Sequence, residues 1–514
     1  MTSADMAPLG AVAFRFSGLY RDFFVALARL LKERHGSRLH LYYPRPEMGG
    51  ELRAQLPDDL FDTLNFVAPA HPPSFDPDPD AAAVVAAARQ HEQRYQRPYS
   101  WFAIPDRHFG RGFAPTGYHH PRSIQSERSG YLGYLDTYSK YFDFWEREFE
   151  SKQIGLLING DWRESAVARA HGAAITTPCS ARHLNFHYWA TDEFADCSHI
   201  VEAFATEAPA ERDYDIAEGP FVQMSLGAHM RGRARLSSLA RRISRKLYAY
   251  SRWKLTGHSK GRLYLVTDEL GYFIREWRAA RQMQGRGMAR LQDVQDQPFV
   301  YYPLQVDPET GFQGRSPEHF HQHAAIISIA SALPAGVRLV VKEHFPGLGL
   351  RPDRFYDQLR DIKNLVLLDI RENGLEVIRR CAAVATVNGS SGQEAAVMGK
   401  PVISFGRHNL YNVLPHVFVV TDESQIGGYL AAALAPDFDR ADAARQGARY
   451  IAALEKLSFD LEHFNHFATA GFSNLALEDA YQKLLQNLGL QGGQTLPQAD
   501  GEAEGAPAVA GTDR

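Results

Sequence analysis

The chain opens with a continuous apolar run, Ala11-Val-Ala-Phe-Arg-Phe16, and turns at Ser17-Gly18. It then places Leu19, Phe23, Leu27, Leu30 and Leu31 at helical spacing. A second run, Leu39–Tyr43, follows His35-Gly36. Strand, helix and strand in that order predict the start of a doubly wound α/β domain. The aromatic-rich segment Tyr131–Phe149 reads as a helix packed on the core, and Ile154–Ile158 as a buried strand. Asn159-Gly160-Asp161 then turns into a helix, Glu164–Ala170, that Gly172 stops. The second half alternates more cleanly. Strands are expected at Phe299–Leu304, Arg338–Val341, Leu365–Leu368, Ala382–Val387, Pro401–Phe405 and Val417–Val420. Helices are expected at Phe355–Arg360, Leu375–Arg380 and Gln393–Met398, with another capped by Ser316 and running to about Leu333. Such alternation implies a parallel sheet whose ligands bind beyond the carboxyl ends of its strands.

Polar positions mark the joints. Pro69–Asp80 is a Pro/Asp-rich loop, and Gln491–Arg514, rich in Gly, Ala, Pro and Glu, reads as a disordered tail. Between the halves, Arg231–Lys254 carries nine basic residues and no acidic one, with Leu236, Leu239, Ile243, Leu247 and Tyr250 at helical spacing. Two readings stand open. The helix lies on an anionic membrane surface, or it is a solvated interdomain helix whose stripe covers the core. The expected organisation is an N-terminal α/β domain (1–225), a basic amphipathic linker (226–295), a C-terminal Rossmann-like domain (296–490) and the tail (491–514).

Composition narrows the class. The 514 residues are 45% hydrophobic and 23% charged, ordinary for a globular chain of two or three domains. A net charge of −4 argues against a nucleic-acid partner that needs a uniformly basic surface. Three cysteines, Cys179, Cys197 and Cys381, have neither metal-ligand spacing nor the number for a disulfide framework, which suits a reducing cytoplasm. No signal peptide and no membrane span is expected, so the placement is cytoplasmic or peripheral on the inner membrane.

The chemistry concentrates in Val387-Asn-Gly-Ser-Ser-Gly-Gln-Glu-Ala-Ala-Val-Met-Gly-Lys-Pro-Val-Ile-Ser-Phe-Gly406. It reads as strand, tight turn, short helix and strand, which leaves Ser390, Ser391 and the first helical N–H groups open to an anion. Asn388, Gly389 and Gly392 build the turn, with Glu394 in the first helical turn and Lys400 beyond the end. Two further strand ends carry Gln305 with Asp307, and Lys342, Glu343 and His344. Together these form an anion cradle suited to a nucleotide phosphate without a metal. Alternatives are open for three of them: helix-dipole compensation for Glu394, a solvated cap for Lys400, and a satisfied packing residue for His344.

Four ordered segments carry a family resemblance: Tyr301-Tyr-Pro-Leu-Gln-Val-Asp-Pro-Glu309, Leu339-Val-Val-Lys-Glu-His344, Thr386–Gly406, and Tyr411-Asn412. From Phe299 to about Asp422 the chain resembles the bacterial capsule polysaccharide biosynthesis family, which includes the β-Kdo glycosyltransferases. The resemblance implies two Rossmann-like domains in a GT-B-like arrangement, with a nucleotide sugar held mainly by the C-terminal one. It also implies transfer of a sugar, with CMP-Kdo the first donor to consider, to a saccharide or lipid-linked acceptor with retention. The sequence departs from the family by placing Phe345 before Pro346. It also lacks a recognisable acidic motif in its first half. A retaining transferase needs a carboxylate at the anomeric carbon, and the candidates are Asp192, beside Glu193, and Asp161, which also fits a helix N-cap. Gln305, Lys342, His344, Ser390 and Ser391 are expected to hold the nucleotide, with no metal and no cofactor beyond the nucleotide sugar. His319, His321 and His323 lack the paired ligands of a zinc site, and the pairs His119-His120 and His463/His466 read as surface or packing residues. A sugar-nucleotide epimerase of the same layout and a non-catalytic capsule assembly or export factor are the competing functions.

Overall fold

The computed structural model describes residues 9–18, 20–46, 48–70, 80–103, 130–207, 232–257, 266–285, 287–306, 315–316, 319, 322–352, 354–462, 464–465, 468–469 and 471–490. The fold is α/β, with two Rossmann-like domains, each built on its own largely parallel sheet. Asp307, Glu318, His119, His120, His321, His463, His466, most of the Pro69–Asp80 loop and the tail fall outside the described residues.

The first sheet has the order β13-β6-β5-β4-β1-β2-β3, from β1 (Ala11–Arg15), β2 (Arg38–Tyr43), β3 (Thr63–Phe66), β4 (Ile154–Ile158), β5 (Ala174–Ser180), β6 (Phe186–Ala190) and β13 (Phe459–Asp460). Strands β1 to β5 run parallel, whereas β6 is antiparallel to β5 and β13 to β6. Its opening forms as the pattern predicts. Helix Arg21–His35 buries Phe23, Phe24, Leu27 and Leu31 and ends at Gly36, whose φ of 61° supplies the left-handed cap. Helix Tyr131–Lys152 lays Tyr138, Tyr141, Phe142 and Trp145 on the opposite face.

The second sheet is entirely parallel, in the order β12-β11-β10-β7-β8-β9. Its strands are β7 (Phe299–Pro303), β8 (Arg338–Lys342), β9 (Leu365–Leu368), β10 (Ala383–Thr386), β11 (Val402–Ser404) and β12 (Val417–Val419). All six match the expected runs because helices cover both faces, so nearly every position is apolar. One helix differs: it begins at Gln322 rather than at Ser316, and runs to Ala332.

The chain does not stay in the second domain. After helix Arg440–Leu457 it crosses back, adds β13 to the first sheet, and packs helix Asn474–Asn487 against the first core. Leu477, Tyr481 and Leu484 join the cluster of Phe14, Phe23 and Leu39. Arg34 pairs with Glu478 at 2.6 Å, and Trp189 Nε1 donates to Ala480 O at 2.8 Å. The second domain therefore closes near Leu457, and the boundary expected at 490 is corrected to that extent.

A third core lies between the domains. Hairpin β5–β6 and helix Ser198–Thr206 bring Ala181, Tyr188, Ile200 and Phe204 onto Val377, Ala395, Tyr411 and Tyr450. His183 pairs with Glu455 at 2.7 Å, and the buried Gln393 amide donates to Ala181 O at 2.9 Å. The basic segment forms helix Leu236–Leu255, paired with helix Val266–Gln282. Of its expected apolar stripe only Leu239 is buried, so the helix is not one whose stripe is consumed by the core.

Candidate functional site

Each sheet reverses its order of strand addition once. The second begins at β7, grows outward through β8 and β9, then returns to place β10 on the other side of β7. The loops after β7 and β10 diverge there, opening a crevice beyond the strand ends. The first sheet does the same between β1 and β4.

The three predicted strand ends of the second domain sit on the adjacent strands β10, β7 and β8 and flank this crevice. Helix Ser390–Val397 starts directly after β10, and no side chain caps its N-terminus at Gly389. Ser390 and Ser391 lie in its first turn, half-buried. Close packing explains both glycines. A Cβ on Gly389 would come within 2.8 Å of the Gln305 amide, and one on Gly392 within 2.3 Å of the Tyr411 hydroxyl. Adjacent to them Asn388 is buried, and Asn409 Nδ2 donates to Val387 O at 2.8 Å and to Ser404 Oγ at 3.0 Å, locking the neighbouring loop.

Gln305 is fixed from several sides. Its N–H donates to Gln322 Oε1 at 2.6 Å, its carbonyl accepts from Gln322 and Arg351, and its amide reaches Thr386 Oγ1 at 3.3 Å. Glu343 points away from the crevice and is fully buried. It accepts from Arg351 Nε at 2.8 Å, from Tyr356 at 2.6 Å and from the His344 N–H. It therefore anchors the β8 end rather than lining the cradle. The turn Phe345–Gly347 that follows accommodates the departure at Phe345, and Gly347 leaves room for the Glu343–Arg351 pair: a Cβ there would lie 2.7 Å from Glu343 Oε1.

Lys342 and His344 complete this edge. Burial pulls the Lys342 ammonium down from its ordinary value, opposed by Glu343, Glu372 and Asp369. Its Nζ makes no hydrogen bond among the described residues. His344 keeps part of its surface open, yet burial of the ring, with nearby Lys342, Arg351 and Arg182, lowers it to about 4. Glu394 is raised by burial, with Ser390 and Arg182 acting the other way. Lys400 takes no part: it is buried and donates to Arg379 O at 3.0 Å and Cys381 O at 2.9 Å, tying down the end of helix Gly374–Arg380. His319 sets its ring against Phe405 and His323 against Phe355.

Sequence patterning did not single out Arg182. It sits at the tip of hairpin β5–β6 with φ 56°, next to the Ala181 carbonyl that Gln393 holds. A first-domain cation is thereby aimed at the second domain's crevice, close enough to act on both Glu394 and His344. Its signal is three-dimensional, since nothing local distinguishes this arginine.

The first domain's own switch point is closed. Asp161 caps helix Trp162–Ala170 in a capping box with Glu164, and Arg163 Nη2 holds its Oδ2 at 2.5 Å. Glu164, fully buried, accepts from Arg15 Nε at 2.7 Å, from the Tyr141 hydroxyl and from the Asp161 N–H at 2.8 Å. Burial opposes the charge on Asp161, but Arg163 overcomes it and holds the carboxyl well below the usual range. Burial and Asp161 push Glu164 up to about 7. Two cations and two carboxylates neutralise one another there.

Asp192 lies beyond β6, apart from that cluster. Its Oδ1 accepts from the N–H groups of Phe194 and Asp196, both at 2.9 Å. Burial and the charge of Asp196 raise its carboxyl. Glu193 pairs with Arg169 instead. Across the domain junction Asp196 meets His408 Nδ1 at 2.7 Å, and the His408 ring stacks on Phe194 at 4.0 Å. The ligand atoms of Asp192, Asp196 and His408 lie within 4.8 Å of one another, the only such set of three among the described residues.

No curated protein matches the chain by sequence. Among solved structures it is similar to a UDP-N-acetylglucosamine 2-epimerase, described as putative, from Listeria monocytogenes (9% identity, 96% of this chain and 99% of that one, TM-score 0.29). It is also similar to CalG4, the calicheamicin glycosyltransferase (12%, 95% and 99%, TM-score 0.28). A third is the UDP-GlcNAc 2-epimerase from Neisseria meningitidis bound to UDP-GlcNAc (11%, 88% and 99%, TM-score 0.26). Similarity at this level adds nothing to what the two sheets themselves show. The sequence itself is more specific: residues 235–414, which contain every strand end of the crevice, match the family described as capsule polysaccharide biosynthesis protein.

Proposed function

We propose that this protein is a glycosyltransferase of bacterial surface polysaccharide biosynthesis, taking a nucleotide sugar in the β7/β10 crevice. CMP-Kdo is the first donor to test, and a saccharide or lipid-linked glycan is the acceptor. One observation carries the reading: the family's ordered motifs lie on three adjacent strand ends around a switch point with an uncapped helix N-terminus. In this reading Ser390, Ser391 and the first N–H groups of helix Ser390–Val397 receive the phosphate. Lys342 supplies the compensating cation, its ammonium uncommitted to any acceptor among the described residues. His344 at the rim donates to the leaving phosphate as charge builds there.

The carboxylate at the anomeric carbon is assigned to Asp192. Both Asp161 oxygens are taken up by Arg163, and Glu164 is fully buried with three donors on it, so neither carboxylate is presented to a substrate. Asp192 commits Oδ1 to backbone donors and leaves Oδ2 unbonded among the described residues. The reaction proposed is metal-independent and needs no cofactor besides the donor.

The test is a transfer assay with purified protein, CMP-Kdo, UDP- and GDP-sugars, and capsule-derived acceptor glycans. Sugar transfer that is lost in Asp192→Asn and Lys342→Ala supports the reading. An isomerised nucleotide sugar formed without acceptor would replace it with an epimerase. Neither transfer, isomerisation nor hydrolysis with any donor would overturn it in favour of a non-catalytic capsule factor.

A further inference from the structure

Helix Leu236–Leu255 divides its cations between two faces. On the inner face Arg242 and Lys246 turn to helix Val266–Gln282, where Arg242 pairs with Glu276 at 2.6 Å and Lys246 with Glu269 at 2.6 Å. The Arg242 guanidinium also lies 4.1 Å from the Phe273 ring centre, and Leu239 is buried beside it. That face is neutralised and packed.

The outer face is neither. At 3.6 residues per turn the exposed positions fall on one half of the circumference. Leu236 is 65% exposed, Leu247 44%, Tyr248 70% and Leu255 88%, with alanine and serine between them. Arg241, Arg245 and Arg252 border this strip and make no ion pair among the described residues. No acidic residue occurs anywhere in the helix. Large apolar groups held open on a surface helix need an occupant, and the charge selects it. A second copy of the same face would oppose arginines to arginines. An anionic bilayer meets both needs: the leucines and Tyr248 enter the boundary of the acyl chains while the arginines reach lipid phosphates.

We infer that the outer face of helix Leu236–Leu255 docks the protein on an anionic membrane surface. The inference stands on this helix alone and is independent of sugar transfer. The helix is too polar to cross the bilayer, and no described helix is long and apolar enough to do so. It lies in the plane of the surface instead.

The test is flotation of the full chain with vesicles of phosphatidylethanolamine and phosphatidylglycerol, against vesicles of phosphatidylcholine alone. Binding is expected only to the anionic vesicles and should weaken with added salt. Each arginine changed to glutamine is expected to cost about fivefold in affinity, so R241Q/R245Q/R252Q should lose roughly a hundredfold. L247S/Y248S/L255S should release the protein as well. Unfolding midpoints of both variants should equal that of the unaltered chain, because the changed side chains are exposed. Equal binding to neutral vesicles, or binding unchanged in both variants, would overturn the inference. So would self-association that L247S/Y248S/L255S abolishes, which would assign the face to a second copy.

Discussion

The two domains repeat one topology and finish it differently. Each has a switch point next to its first strand, β1/β4 in one and β7/β10 in the other. The first is filled by the chain's own charges: Arg15, Arg163, Asp161 and Glu164 bind each other, with Tyr141 closing the last acceptor. The second has no side-chain cap on its helix N-terminus among the described residues, and its carboxylate Glu343 is turned inward to Arg351. The same crevice is a structural joint in one case and, in the function proposed, a ligand site in the other. What separates them is whether local side chains satisfy the helix N-terminus.

The strongest test of that contrast removes Glu164. In Glu164→Ala the Arg15 guanidinium stays largely buried without its counter-charge, at a cost of about 3–5 kcal/mol in stability. Urea unfolding should show this loss, while the fraction that remains folded should bind nucleotide with unchanged affinity. A large loss of affinity in the folded fraction would mean that the first switch point is also a ligand site. The complementary change, Ser390→Ala with Ser391→Ala, should leave the unfolding midpoint nearly unmoved. It should weaken nucleotide binding by about 3 kcal/mol, or a hundredfold, because two hydrogen bonds to a charged group are lost.

Two histidines separate fold from site by pH. His40, buried in β2 and bonded to Thr63 Oγ1 at 2.9 Å, is lowered to about 4 by burial and by Lys152. The unfolded chain takes up this proton as pH falls from about 6.5 to 4, whereas the folded chain does not. Stability is therefore full above that window and falls within it, by on the order of 3 kcal/mol. His40→Gln should flatten this part of the profile. His344, also lowered to about 4, should act on ligand affinity instead. A bound phosphate favours its protonated form, so nucleotide binding should tighten as pH falls toward 4, and His344→Gln should remove the trend. The smallest effect expected is that of Arg182→Gln. This exposed first-domain cation should add about 1 kcal/mol to binding, seen as a roughly fivefold rise in Kd at low salt that fades at high salt.

Legibility followed burial. All six strands of the second sheet could be read because both faces are covered and the apolar runs are unbroken. Strands β3, β5 and β6 could not. Thr63-Leu-Asn-Phe66 is only half-buried, and Ala174–Ser180 with Phe186–Ala190 projects as a hairpin into the domain junction, mixing polar and apolar positions. The return of the chain after Leu457 leaves no local trace, because it depends on contacts such as Arg34 with Glu478 across the whole length. Within the candidate site the turn before helix Ser390–Val397 was plain from its serines and glycines. That Glu343 is an anchor, that Lys400 secures a neighbouring helix, and that Arg182 arrives from the other domain are matters of direction and distance. Spacing along a chain does not encode them.

The central claim is that a nucleotide occupies the β7/β10 crevice, and titration calorimetry tests it most directly. CMP, UDP and GDP are titrated in turn into the unaltered protein, Ser390→Ala/Ser391→Ala and Lys342→Ala. One nucleotide should bind the unaltered chain, and its affinity should fall about a hundredfold in the serine variant and at least tenfold in the lysine variant. Undiminished binding in both variants, or no binding of any nucleotide to a folded protein, would contradict the account.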